Sequence, residues 1–500
     1  MSFTKIKLLL QNPWYVFCIL TFLYFLTRLI NLEIIPIFND ESTYIRYGIH
    51  QILEPEFKPY SLLIGKEPLL PQLFGSLGNA MGDYLVGARV ISVLFGFLTL
   101  SGLFALALKL ENKKTALFVG ILYLLSPFNL FFDRLALLDS AISAIAIWSL
   151  YFTYAIISKP NWWNAVYLGI VLGIGLYIKT TAFFFLGLVG FSSLLILISD
   201  KRIAKNNLLV SLNLFLSLGI ALILYVPLYF SEYYAIHLNL LKQYTYPLTY
   251  VFSFPVKVWF LNLEKTFIWL VMFLTIPIFT LGIYGLVKNI KNLKYLFIMF
   301  WLIIPLIYEI LYAKLFSGRH ILLLTIPLIF FAAWTLYYLS KKRKQLFIFS
   351  LSVVLLVSLF YNFLIIFKPY ELKNYYLSHA REDIESYFSG FASGYGVIES
   401  INYLKELSRR NPIIVMTRND HGNPEDAVVA YLTYEPNITV VLVSSADQAR
   451  QVYDQVDGAR DIYFVTRGAY YLGLENNLKN EKKFLKPDGK DFVGVYKLEF

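Results

Sequence analysis

An acidic pair, Asp40 and Glu41, lies in Phe38-Asn39-Asp40-Glu41-Ser42-Thr43-Tyr44, just beyond the first long apolar run. A carboxylate shielded by aromatic neighbours can take a hydroxyl proton as general base. Acids also settle at helix N-termini because the dipole favours them there. Lys66 precedes Glu67-Pro68-Leu69. The proline can open a helix, and the lysine can hold an anion at that helix's N-terminal end. Arg89 follows Asp83 at the entry to a second long apolar run. Its planar fork suits a carboxylate such as Asp40, or a phosphate; snorkelling to the interface is the competing reading. Asp133, Arg134 and Asp139 place three ionised groups within seven residues, between apolar runs. Such a cluster marks a polar cavity at the membrane, although Asp139 also has the look of a helix N-cap. Lys179 falls between two short apolar runs, and Arg319-His320 opens a late one. Glu309, in the run before it, is a partner for Arg319 or Lys314. Arg418–Asn423 reads as a surface loop.

These residues are set in an unusually apolar chain. Of 500 residues, 58% are hydrophobic, 18% are aromatic and 15% are charged, where soluble domains carry about 25% charge. That balance excludes a soluble enzyme, a disordered chain and a nucleic-acid-binding module, and implies a polytopic membrane protein. The net charge of +11 falls mostly in short loops on one side, the positive-inside pattern. A single cysteine, Cys18, excludes an internal disulfide. The five histidines, His50, His237, His320, His379 and His421, have no metal-ligand spacing, so no metal site is expected.

Apolar runs predict about eleven membrane-spanning helices, at 14–36, 85–109, 115–131, 140–157, 164–178, 182–199, 208–229, 264–287, 295–313, 320–339 and 346–367. The first reads as an uncleaved helix, since no small-x-small site follows it. Basic residues gather at Lys5/Lys7, Lys109/Lys113/Lys114, Lys159, Lys201/Arg202/Lys205, Lys288/Lys291/Lys294 and Lys341–Lys344. That side is expected to be cytoplasmic, with the N-terminus. Residues 37–84 and 230–262 are then outer loops, the first with short surface helices. Residues 1–367 form the membrane domain, and 368–500 an extracytoplasmic α/β domain. In the latter, strands are expected at Pro412–Thr417, Ile438–Ser444, Asp461–Thr466 and Phe492–Leu498, and helices at Ile398–Leu407 and Ala446–Val456.

Together, over about residues 14–340, these motifs resemble the polyprenyl-phosphate-sugar-dependent glycosyltransferases of the GT-C fold. That group includes protein O-mannosyltransferases and the aminoarabinose transferases of lipid A. The family's "DE" pair after the first span is similar to Asp40-Glu41. Its Lys-Pro-Pro-Leu surface motif resembles Lys66-Glu67-Pro68-Leu69, with Glu67 in place of the first proline. Its arginine at the second span matches Arg89, and its Arg-x4-Asp pattern matches Arg134 to Asp139. A Gly-rich helix ending in Lys-Thr resembles the stretch from Gly173 to Lys179-Thr180. The late Arg-Tyr-Leu-Leu-Pro motif resembles Arg319 to Pro327, with His320 where tyrosine is usual.

The resemblance implies a multi-pass plasma-membrane protein with its active site on the outer face. It implies inverting transfer of a hexosyl or pentosyl group from a polyprenyl-phosphate monosaccharide to a hydroxyl on a lipid, glycan or protein. Asp40, Glu41 and Asp139 are then the catalytic set. Tyr44, Lys66, Arg89, Arg134, Lys179, Arg319 and His320 bind substrate. No cofactor is required, though a divalent cation is compatible with the scheme. The partners are the lipid-linked donor, the acceptor and membrane lipids, with no nucleic acid. A lipid-linked sugar transporter or flippase is the alternative, but it calls for charges along the inner halves of the helices, which are nearly charge-free here. An inactive relative that binds through its outer domain is a third reading, disfavoured by the intact acidic pair.

Overall fold

The computed structural model describes residues 12–54, 58–198, 207–456 and 460–500. Lys5, Lys7, Lys201, Arg202 and Lys205 lie outside the described residues. The chain forms two compact units, each built from separated segments. The first comprises Met1–Asn31, Pro59–Leu70 and Arg89–Ala380; the second comprises Leu32–Lys58, Pro71–Ala88 and Arg381–Phe500.

The helices up to the second unit's sheet run in the following order. They are α1 (Pro13–Leu29), α2 (Asn39–Leu53), α3 (Leu69–Met81), α4 (Tyr84–Leu110), α5 (Lys113–Leu125), α6 (Pro127–Asp133) and α7 (Asp139–Ser158). Then come α8 (Trp162–Leu176), α9 (Ala182–Ile198), α10 (Asn207–Tyr229), α11 (Tyr234–Leu241) and α12 (Leu248–Val251). The series ends with α13 (Val256–Phe273), α14 (Ile276–Asn289), α15 (Leu296–Tyr312), α16 (Thr325–Lys342), α17 (Lys344–Phe367) and α18 (Ser378–Glu385). This is an integral membrane protein. Among the described residues, five helices have the length and composition to cross a bilayer: α4, α7, α10, the segment Gly318–Lys342 that ends in α16, and α17. The number rises to seven if each of two bent pairs is one span, and α1, α8, α9 and α15 are shorter apolar helices. The expected eleven segments are thus helical, but length alone does not make eleven spans.

The bent pairs correct two of the expected straight spans. Helices α5 and α6 meet at 63°, because Ser126 takes an extended backbone, its hydroxyl accepts from the Asn129 N–H, and Pro127 starts the new helix. Helices α13 and α14 meet at 114°. There Thr275 has φ +74° ahead of Pro277, which lies in the first turn of α14, and neither feature continues a helix.

The second unit holds α19 (Val397–Ser408), β1 (Ile413–Arg418), α20 (Glu425–Leu432), β2 (Ile438–Val443), α21 (Ala446–Val456), β3 (Asp461–Arg467), β4 (Leu478–Leu485) and β5 (Phe492–Leu498). The sheet order is β2-β1-β3-β5-β4. β1 is parallel to β2 and β3, whereas β5 is antiparallel to β3 and β4. Met416, Val443, Ala449, Phe464, Leu474 and Leu498 are among the buried side chains of its core. β4 and α20 go beyond the sequence reading. β4 is an edge strand whose Lys479, Glu481, Lys482 and Lys483 face solvent, so it has no buried face to reveal it and the charges protect the edge.

Helices α2 and α3 touch backbone to backbone. A Cβ on Gly48 would stand 1.9 Å from the Pro71 carbonyl oxygen, and one on Gly75 would stand 2.5 Å from the Gly48 carbonyl carbon. Gly48→Leu is therefore expected to destabilise the protein by about 3 kcal/mol or more through overpacking. Thermal unfolding of the purified variant against wild type checks this.

Candidate functional site

In the first unit, Asp139 begins α7 and is buried. Lys179, in the turn between α8 and α9, brings its Nζ 2.8 Å from Asp139 Oδ1. Arg319, in the 3-10 turn that leads into α16, places Nε 4.0 Å from Asp139 Oδ2. The neighbouring His320 shares the field of Lys179, Arg319, Asp139 and Lys66, and its Nδ1 accepts from the Ser317 N–H at 3.4 Å. Four of the sequence-predicted residues, Asp139, Lys179, Arg319 and His320, thus come together although 181 positions separate Asp139 from His320. Lys66 completes the electrostatic neighbourhood, with Nζ 4.4 Å from the Tyr244 ring centroid. Glu309, for which the sequence offers Arg319 or Lys314 as partner, meets the fields of Lys179 and Asp139 there.

Glu67, the departure from the family's proline, is also buried. Burial pushes its carboxyl up, against hydrogen bonding from Thr180 and the charges of Lys66 and Lys179. His237 of α11 lies 3.7 Å away. Burial, helped by Lys66, holds its imidazole down at about 4. His237 is therefore neutral at physiological pH, and the approach is a dipolar contact rather than an ion pair. Among the described residues, no group of three or more His, Cys, Asp or Glu is arranged to hold a metal ion.

The remaining basic residues of the sequence-predicted set have other surroundings. Arg134 is fully buried and donates to the carbonyls of Thr27 (3.1 Å), Ile30 (2.7 Å) and Asn31 (2.6 Å). It thereby satisfies the C-terminal carbonyls of α1, where Asn31 turns the chain at φ +51°. Asp133 faces Arg28, with Nε–Oδ2 3.6 Å, and accepts from Tyr24, Tyr123 and Ser140. Arg28 was not among the sequence candidates, since a lone arginine at a span's end ordinarily snorkels. Arg89 is fully buried in α4. Asp83 caps that helix, accepting from the Val86 N–H at 2.9 Å.

Asp40, Glu41 and Tyr44 belong to the second unit, in the first turns of α2. Glu41 is buried and accepts the Phe38 N–H at 2.8 Å, closing the helix start. Around this turn stands a set of contacts absent from the sequence reading. Asp426 of α20 is buried and accepts from Thr43 Oγ1 (2.5 Å), Arg46 Nη1 (2.5 Å) and the Gly422 N–H (2.7 Å). The Asn423 N–H donates to Asn39 Oδ1 at 2.9 Å, and its side-chain amide donates to the Ile37 carbonyl at 2.9 Å. The expected surface loop at Arg418–Asn423 is thus corrected at Asn423, which is buried.

Burial would raise the Asp426 carboxyl, but His421, Arg46, Thr43 and the Gly422 N–H outweigh it and hold it below the usual carboxylate range. A lowered folded-state value stabilises at pH above the unfolded value and is lost as pH falls through the folded one. The α2–α20 contact is therefore expected to persist at neutral pH and to open only below about pH 3.9. Hydrogen exchange over residues 37–46 along an acid titration checks this.

The family model described as dolichyl-phosphate-mannose-protein mannosyltransferase matches residues 66–230, the stretch that contains Lys66, Arg89, Arg134, Asp139 and Lys179. No curated protein sequence matches the chain at a significant level. Among solved structures, ArnT from Cupriavidus metallidurans bound to undecaprenyl phosphate matches with a TM-score of 0.64 at 14% identity. The match covers 99% of this chain and 98% of ArnT. The chain has the GT-C fold. The apo oligosaccharyltransferase of Archaeoglobus fulgidus is similar at a TM-score of 0.56 and 12% identity, over 96% of this GT-C chain and 74% of that one. In this GT-C protein, the cluster around Asp139 and the start of α2 are the two places where the sequence candidates collect.

Proposed function

We propose that this GT-C protein is an inverting glycosyltransferase that moves one sugar from a polyprenyl-phosphate donor to an acceptor hydroxyl at the outer membrane face. The observation that carries this reading is the convergence of Lys66, Lys179, Arg319 and His320 around buried Asp139. The three cations of that set, Lys66, Lys179 and Arg319, suit a phosphate leaving group. The reading also draws on the matched family and on the undecaprenyl phosphate held by ArnT, the structural neighbour.

In this scheme Asp40 takes the proton of the acceptor hydroxyl. The acceptor oxygen bonds to the anomeric carbon from the face opposite the phosphate, and the anomeric carbon–oxygen bond to phosphate breaks. The electron pair leaves with the polyprenyl phosphate, whose added charge the cations stabilise. The phosphate is already acidic, so no strong general acid is needed. Asp139 orients Lys179 and Arg319, Glu41 fixes the turn that carries Asp40, and Tyr44 contacts substrate. The basic junctions at Lys109/Lys113/Lys114, Lys288/Lys291/Lys294 and Lys341–Lys344 put those loops in the cytoplasm under the positive-inside rule. The site and the α/β region then face outward.

The test is a transfer assay. Protein in nanodiscs receives a panel of radiolabelled polyprenyl-phosphate monosaccharides together with host membrane extract. Label moving from the lipid into a new product is expected for at least one sugar; donor lipids that remain intact across the panel would overturn the proposal.

A further inference from the structure

We infer that Asp426 and the β1–α20 loop are positioning residues for Asp40: the C-terminal part of the chain holds the turn from which the base acts. This inference rests on the transferase reading above. Three observations carry it, all within the second unit. First, the bonds fall on the residues that flank Asp40. Asn423 engages Ile37 and Asn39 on one side, and Asp426 engages Thr43 and Arg46 on the other. The Asn39 N–H also donates to the Ala392 carbonyl at 3.0 Å.

Second, the contact leaves no slack. A Cβ on Gly422, whose φ is +96°, would stand 1.9 Å from Asn39 Oδ1, and one on Gly394 would stand 1.9 Å from the Ile37 carbonyl oxygen. Third, the gripping loop is itself braced. Arg418 at the end of β1 bonds Glu425 through Nε (2.8 Å) and Nη2 (2.6 Å), and Arg467 at the end of β3 bonds Asp420 at 2.7 Å. A buried charge with three donors is costly to assemble unless every bond is made. This one is spent on the backbone turn of the acidic pair.

A base held this way loses rate, and not donor affinity, when the grip is loosened. The experiment uses the full chain in nanodiscs with Asp426→Ala, Asn423→Ala and Thr43→Val. Turnover is measured together with hydrogen exchange over residues 37–46 and over β1 and β3. Asp426→Ala is expected to lower kcat by about 10²-fold while KM for the lipid donor stays within about twofold, the signature of misplacement. Exchange over 37–46 rises, and the strands keep their protection. Thr43→Val and Asn423→Ala shift kcat in the same direction by about tenfold.

Wild-type kcat in all three variants would overturn the inference. So would a loss in Asp426→Ala that comes with unprotected strands while Thr43→Val and Asn423→Ala turn over like wild type. If wild-type protein transfers no sugar, the transferase reading fails by itself. Exchange over 37–46 then decides whether the loop holds the turn: protection unchanged in every variant overturns that too.

Discussion

Asp40→Asn is expected to lower sugar transfer by about 10³-fold, the range in which a positioned general base contributes. The substitution keeps the volume of the side chain and removes its negative charge, and with it its capacity to take a proton. The turn that carries it is fixed by other groups: Glu41 accepts the Phe38 N–H, and Asn423 and Asp426 hold the flanking residues. Thermal unfolding and donor binding should therefore match wild type. Asp40→Glu keeps a base but moves it by one methylene, and should retain part of the rate. Turnover of Asp40→Asn within about tenfold of wild type would assign the proton to another group.

The second large effect concerns Lys179. Its ammonium is the near partner of Asp139 at 2.8 Å, with Arg319 further off at 4.0 Å. Lys179→Met is expected to cost about 10²–10³-fold in kcat, the magnitude found when one preorganised donor to a developing anion is removed. It also leaves a buried carboxylate without its nearest counter-charge, which destabilises by about 3–5 kcal/mol. The double variant Asp139→Asn/Lys179→Met separates the two losses. The neutral pair should recover most of the stability and little of the rate, because the phosphate still lacks its cation. Recovery of the wild-type rate would mean that Lys179 serves Asp139 and not the substrate.

The apolar runs and their basic junctions make the membrane helices legible in the sequence, since length and composition decide both. Breaks are harder to see. Ser126-Pro127 and Thr275 bend their helices through local caps and backbone angles, which apolar periodicity averages away. In the site, residue types were informative because Asp139, Lys179, Arg319 and His320 are costly to place among apolar runs unless they meet, and they do meet. Arg134 looked like the same kind of residue, yet its donors reach carbonyls more than 100 positions away. Only the fold can show that a cation is occupied by backbone. The grip of Asp426 on Thr43 spans 383 positions. It is built from a loop whose Asp, Asn and Gly content otherwise signals an exposed turn. Glu41 belongs to an intermediate class: its place after Phe38 marks a helix start, and that is what its carboxylate does.

The most direct test of glycosyl transfer follows phosphorus rather than sugar. Protein in nanodiscs would be given a polyprenyl-phosphate monosaccharide with acceptor extract, and the lipid phosphate followed by 31P NMR. Transfer converts the sugar phosphodiester into the free polyprenyl monophosphate, one for each sugar moved, in wild type and not in Asp40→Asn. That monoester signal is the expected result. A donor whose diester signal stays intact while it redistributes between the leaflets would contradict it and identify a transporter.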